Sequence, residues 1–367
     1  MTIRSASLVV GVFVSASLFS DAANTPAGVV PWSTPERVAT GFQFTEGPAW
    51  HRDGYLLFSD VQGNRIIKWT DQNQTETYRQ PSGNSNGLAF DAQGRLVACE
   101  HLNRRISRTD LTGNVETLAD RYQGKRLNSP NDLAIKSDGS IYFTDPPLGI
   151  SSGQQELGFN GLFRISPEGD LTLLASDFGA QPSPNGLAFS PDETKLYVAD
   201  PIDTNRGQVR AYDALPDGSL GAWQVFAQVP STDGVKVDRN GRVYVAGRDG
   251  IAVFSPDGDN LGTITFPEQP SNCCFGGTDG KTLFVTARAS LYRVRVNETE
   301  ILIDSKGRLV IRWSSFPNRG YQILCSSDML NWEVVADNVP SAAGCMTSWI
   351  DPTSPHVGFP RRFFYLK

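Results

Sequence analysis

A two-strand phrase recurs six times along this chain, and it limits the folds available more than any other feature. Each phrase opens on an acid or an amide, usually followed by Gly or Asp. It continues as a short apolar strand, a turn and a second strand. The copies are EGPAWHRDGYLLFSD from Glu46, NGLAFDAQGRLVACE from Asn86, NDLAIKSDGSIYFTD from Asn131, NGLAFSPDETKLYVAD from Asn185, DGVKVDRNGRVYVAG from Asp233 and NCCFGGTDGKTLFVTA from Asn272. Their first residues are 40, 45, 54, 48 and 39 positions apart. A unit of that length with two to four strands cannot bury both of its faces alone, so the units must close into a ring. The pattern predicts an all-β, six-bladed β-propeller.

The remaining strands support this reading. RIIKWT (65–70), RISRTD (105–110), GLFRIS (161–166), QVRAYD (208–213) and IAVFSPDG (251–258) alternate or run apolar and end in turns. No stretch shows sustained helical periodicity. ERVATGF (36–42) precedes the first phrase as a lone strand, and SLYRVRV (290–296) follows the last with no partner after it. The two are predicted to pair and close the ring. The longest insert, 146–160, is rich in Gly, Ser and Pro and reads as a loop over the channel mouth, a candidate lid.

After Asn297 the pattern stops. LVIRWSS, YQILCSS, WEVVAD and RRFFYLK read as strands of a separate, small β-sandwich-like domain. The expected organisation is a signal peptide at 1–23, a propeller at 30–298 and a β-rich module at 301–367. Arg4, the apolar run Ala6–Phe19 and the small residues around Ser20-Asp21-Ala22 have the form of a secretory signal. The run is too short to span a bilayer, so no membrane span is expected in the mature chain, which would be exported to a periplasm or the medium. A net charge of −6 leaves no basic footprint for nucleic acid. Five cysteines form no CxxC pair, and three histidines have no zinc spacing. Cys273-Cys274 read as small apolar fillers on a strand. Whether Cys325 and Cys345 form a disulfide is left open by the sequence.

If each phrase begins the innermost strand of a blade, Glu46, Asn86, Asn131, Asn185, Asp233 and Asn272 converge on one end of the central channel. Acids and amides in that arrangement suit a hard cation, and calcium takes six to eight such oxygens. The pattern alone fits a second reading equally well, in which Asn-Gly and Asp-Gly only shape turns at strand mouths.

The stretches CEHLNRRISR (99–108), YQGKRLNSPNDLAIKSDGSIYFTDPP (122–147), PNGLAFSPDETKLYVAD (184–200) and DGVKVDRNGRVYVAG with its sequel DGIAVFSPDG resemble the family of gluconolactonase, senescence marker protein and luciferin-regenerating enzyme. The resemblance covers about 40–297. It implies a six-bladed propeller with one divalent metal in the channel, calcium or another divalent ion, held by Glu46, Asn131, Asn185 and Asp233. It implies a pocket lined from Asn131, Asn128, Arg126, Asn86, His101 and Asn272, with Glu100 and Asp145 as further candidates. The implied reaction is hydrolysis of a sugar lactone such as gluconolactone, with Asp233 or Glu46 as the carboxylate that takes a proton from water. His101 reads more readily as structural than as a base, and the absence of G-x-S-x-G disfavours a serine nucleophile. Leu102, Leu148 and the Thr-Asp-Gly of the fifth phrase depart from the family pattern, all in lining loops. Two alternatives stand beside the lactonase: a ligand- or glycan-binding propeller with a structural calcium, and a hydrolase of another ester. The C-terminal piece weakly resembles a β-module that ends many secreted bacterial proteins, which would imply cell-wall or glycan contact.

Overall fold

The computed structural model describes residues 34–296 except 73, 152, 180–182 and 204, together with 12–14, 299–303, 308–314, 320–326, 331, 333–340, 346–352 and 363–366. Residues Thr34–Arg295 form one unit, and Val296–Lys367 with Met1–Ser33 form another.

The larger unit is a ring of six four-stranded antiparallel sheets. Blade 1 is Thr45–His51, Tyr55–Asp60, Arg65–Thr70 and Gln74–Arg79. Blades 2 to 5 follow the same order, with inner strands Ser85–Phe90, Leu133–Ile135, Leu187–Phe189 and Val235–Val237. Blade 6 is Pro270–Gly276, Thr282–Ala287 and Ser290–Arg295, completed by Glu36–Thr40 from the start of the chain. The closing register pairs Glu36 with Arg293 and Thr40 with Ser290, so the lone strand closes the ring as its sequence predicts.

The burial of each strand follows its place in the blade. Second strands lie between neighbouring blades and bury both faces, which is why LVACE (96–100), IYFTD (141–145) and VYVAG (243–247) are buried at every position. The outermost strand of blade 1, QTETYR, is polar and exposed along most of its length. The core is divided into blade-to-blade seams rather than one centre. The seam that closes the ring packs Val38, Phe284 and Leu291 of blade 6 against Leu56, Phe58 and Trp69 of blade 1. Trp50 stacks on Phe284 there, with ring centroids 5.2 Å apart.

The glycines of the repeat serve the ring and not the turns. A Cβ on Gly186 would lie 2.5 Å from the Val235 nitrogen, and one on Gly47 would lie 2.0 Å from the Asn86 carbonyl oxygen. Inner strands therefore approach backbone to backbone, and Gly186 N–H donates to the Asp233 carbonyl at 3.1 Å.

In the second unit, Val12–Val14, Phe363–Leu366, Gly320–Ser326 and Glu333–Pro340 make one sheet. Thr299–Ile303, Leu309–Ser314 and Met346–Ile350 make another. Leu309 and Ile311 of the second sheet share a core with Ile323 of the first, with Ala336, Val339 and Trp349 around it. The strands 299–303 and 346–350 add to the four that the sequence suggests. Of the expected signal segment only 12–14 fall among the described residues, and Cys345 lies outside them. No helix among the described residues is long and apolar enough to cross a membrane.

Candidate active site in the central channel

The inner strands bring the first residue of each phrase to one end of the channel. Glu46, Asn86, Asn131 and Asn185 are buried there. Burial pushes the Glu46 carboxyl up to about 7, with the nearby charge of Asp132 adding to the effect. The Asp233 carboxyl is pushed well above its ordinary range by burial first and then by the charges of Glu46 and Asp132, while the Asn185 amide favours its ionised form. Asn131 uses its main chain for structure: its N–H donates to the Thr144 carbonyl at 2.8 Å, and its carbonyl accepts from Gly87 N–H at 2.8 Å.

The sixth phrase begins one residue earlier than its spacing suggests. Cys273 pairs with Val285 as Val235 pairs with Val245, and Gly234 N–H donates to the Ser271 carbonyl as Gly186 N–H donates to that of Asp233. Ser271 is therefore the counterpart of Asp233, and Asn272 stands where four blades carry glycine. Ser271 Oγ is consumed by the Thr45 carbonyl at 2.7 Å and by Thr286.

The only other blade without glycine at that position is blade 3, which has Asp132. These two side chains meet across the ring. Asn272 Nδ2 donates to Asp132 Oδ2 at 3.1 Å and to Glu46 Oε2 at 3.2 Å. Lys236 Nζ lies 3.4 Å from Asp132 Oδ2. Asp132 and Lys236 were not among the residues picked out by the sequence. The signal was present in the aligned repeats: Gly47, Gly87, Gly186 and Gly234 against Asp132, and Ala49, Ala89, Ala134 and Ala188 against Lys236.

The remaining candidates occupy different surroundings. Asn86 Nδ2 lies 3.2 Å from His101 Nε2, and Asn86 Oδ1 is buried without a hydrogen-bond partner. Burial lowers His101 to about 4, so the imidazole is neutral at ordinary pH. Gly149 of the 146–160 loop backs onto His101 and donates its N–H to Ser129 Oγ at 2.8 Å. Asn128 is wholly buried and ties that loop down, with Nδ2 donating to the carbonyls of Asp145 at 2.9 Å and Phe159 at 2.8 Å. Arg126 sits on the short hairpin 121–126 and donates to the Asn103 carbonyl at 2.7 Å. Glu100 is buried beneath Arg79 and Arg105, at 2.9 and 2.7 Å. Asp145 accepts the N–H groups of Asn128 and Ser129 at 2.7 and 2.8 Å, and burial pushes it up to about 7. Leu102 and Leu148 are both exposed.

A divalent cation fits the channel residues. Glu46 and Asp132 are buried and Asp233 is half-buried; once all three carboxylates are ionised they face one ammonium at close range, Lys236 beside Asp132, which leaves two negative charges to be balanced. The charge of Arg288 also acts on Asp233, from an exposed position. Among the described residues no three His, Cys, Asp or Glu side chains cluster as ligands, so such an ion would lean on the amide oxygens of Asn131 and Asn185. Carboxylate and amide oxygens are the donors of a hard cation.

The comparisons with known proteins agree with this geometry. The family model described as the SMP-30/Gluconolactonase/LRE-like region matches residues 44–289. The chain belongs to that family. It is 37% identical over 297 residues to a gluconolactonase of Zymomonas mobilis, covering 72% of this chain and 82% of that protein. The solved gluconolactonase of Xanthomonas campestris is 38% identical, with a TM-score of 0.66 over 71% of this chain and 89% of its own. A luciferin-regenerating enzyme shares the fold at 20% identity and a TM-score of 0.61, covering 71% of this chain and 95% of its own.

Proposed function

We propose that this protein hydrolyses a sugar lactone of the gluconolactone type to the open hydroxy acid at the mouth of the propeller channel. The observation that carries the reading is the set of carboxylates Glu46, Asp132 and Asp233, whose charges act on one another beside the Asn185 amide, in a chain 37% identical to a gluconolactonase. Glu46, Asn131, Asn185 and Asp233 would hold a divalent cation, calcium in the first instance. When bound, the ion supplies Lewis-acid polarisation of the lactone carbonyl.

The chain's own residues do the rest. Glu46 is fixed in place, since Oε2 accepts from Gly47 N–H at 2.8 Å and from Asn272 at 3.2 Å. The Asp233 carboxyl, raised by burial and by the charges of Glu46 and Asp132, takes the proton of the attacking water. The water oxygen bonds to the carbonyl carbon, the ring C–O bond breaks, and the ring oxygen leaves as a hydroxyl with the proton that Asp233 returns. The products are one carboxylate, one hydroxyl and one released proton. Neutral His101 with Asn86, beside the 146–160 loop, offers polar contacts suited to sugar hydroxyls.

The test is a pH-stat assay of glucono-δ-lactone with the full chain, measured against spontaneous hydrolysis. Turnover above background in calcium that EDTA abolishes supports the reading. No turnover of this or other sugar lactones with any divalent ion overturns it.

A further inference from the structure

The half-buried lysine at this end of the ring, Lys236, has no counterpart in the other blades. The inner strand of blade 5 is Val-Lys-Val, and Val235 and Val237 pack into the seam with blade 4. Lys236 takes the opposite face, and its ammonium reaches Asp132 Oδ2 of blade 3 at 3.4 Å. The same carboxylate accepts Asn272 Nδ2 of blade 6, which also holds Glu46 Oε2 of blade 1. One hydrogen-bonded chain thus ties a proposed metal ligand to a carboxylate and its ammonium, using residues of four blades.

Partial burial of a lysine is unfavourable unless its charge is used. Asp132 supplies a partner, yet Asp132 itself stands at a position where four blades manage with glycine. The pair is not required by the ring. Its effect is on the charge of the site: with Lys236 the three carboxylates are left with two negative charges, and without it they would carry three. Arg288 acts on Asp233, but from an exposed position over the Phe44 ring at 5.9 Å where solvent screens it, whereas Lys236 acts on Glu46 and Asp132 from the half-buried side.

Resting on the metal reading above, we infer that Lys236 is a specificity-determining residue that matches the channel's charge to a single divalent cation and discriminates against trivalent ions. It acts through Asp132 and Asn272 and touches neither ion nor substrate.

The experiment measures dissociation constants for calcium and for terbium on the metal-free full chain, by calorimetry and terbium luminescence. Four proteins are compared: wild type, Lys236→Met, Asp132→Asn and the double variant. Removing the ammonium raises the preference for terbium over calcium by about tenfold or more, as expected for one unit charge acting over several ångströms inside a protein. Asp132→Asn lowers the preference by a similar factor, and the double variant returns close to wild type. If Lys236→Met alone does not fold, Asp132→Asn and the double variant differ by the same ammonium, so their ratio reads the same effect. A ratio that does not change between proteins differing only at Lys236 overturns the inference, and a purely structural ion pair would give that result. Wild type that binds no divalent cation overturns the metal reading as well, which separates the two failures.

Discussion

Two sets of acids lie within this propeller, all buried but the half-buried Asp233, and they are treated in opposite ways. The first set ends the second strands: Asp60, Glu100, Asp145 and Asp200. Asp60, Glu100 and Asp200 are tied to arginines, and Asp145 holds the 128–129 backbone through two N–H groups. Asp60 accepts the N–H groups of Gln43 and Phe44 at 2.9 and 3.2 Å and pairs with Arg65. Asp200 pairs with Arg210 at 2.7 Å and accepts the Ser183 hydroxyl. The second set, Glu46, Asp132 and Asp233, gathers at the channel with one lysine among three charges. The first set spends its charge on holding loops. The second is short of positive charge, and the proposed metal ion would restore the balance. In sequence the two look alike, since both are acids at strand boundaries of the same repeat. Partners tell them apart.

Substitutions test that distinction, the largest effect first. Glu100→Ala removes the acceptor of Arg79, Arg105 and Ser107 and is expected to cost about 3 kcal/mol in urea unfolding, because it leaves buried charges unpaired. Calcium affinity of the folded protein stays within about twofold of wild type, a difference below 0.5 kcal/mol. Glu46→Gln gives the converse. Calcium affinity by calorimetry falls about a hundredfold, near 2.7 kcal/mol, while the calcium-free fold is no less stable because a crowded charge has gone. Equal losses of stability and affinity in both variants would erase the distinction.

The pH dependence sharpens it further. Glu46 has a carboxyl pushed up to about 7 from 4.5 in the metal-free chain, so the folded state holds a proton that the unfolded chain has released. Stability without metal therefore falls as pH rises through that window. The proposed calcium ion would compete with that proton, so its affinity is expected to weaken as pH falls through the same window, by about tenfold per pH unit for the Glu46 proton. Titrations of affinity and of unfolding midpoint against pH check both slopes. The smallest effect belongs to the exposed clamp on the closing strand. Arg293 pairs with Glu36 and Asp71, and Arg293→Ala should cost less than about 1 kcal/mol and leave metal binding unchanged.

Much of this was legible in the chain. Six phrases predicted six blades, and two orphan strands predicted how the ring closes. Glu46, Asn185 and Asp233 could be read as neighbours because each stands at the start of an inner strand, and Glu46 and Asn185 do lie beside Asp233. The reading of Asn-Gly as a turn former did not anticipate why Gly is there, since blade-to-blade contact is a property of the closed ring and not of any local segment. The same long-range geometry hid the role of Asp132, whose partners are 104 and 140 positions away. Asn272 was slipped by one residue because the irregular pairing between Pro270 and Asn272 shifts the register that spacing assumes. Glu100, Asn128 and Asp145 resembled channel residues in sequence, and only their hydrogen bonds mark them as the braces of loops.

The most direct test is lactone turnover by Asp233→Asn in saturating calcium, with folding checked by circular dichroism and calcium binding by calorimetry. The account predicts a correctly folded protein with kcat for glucono-δ-lactone reduced by at least about a hundredfold, the usual worth of a positioned base. A folded variant that retains wild-type turnover would show that the channel carboxylate does not carry the chemistry, and would contradict the account at its centre.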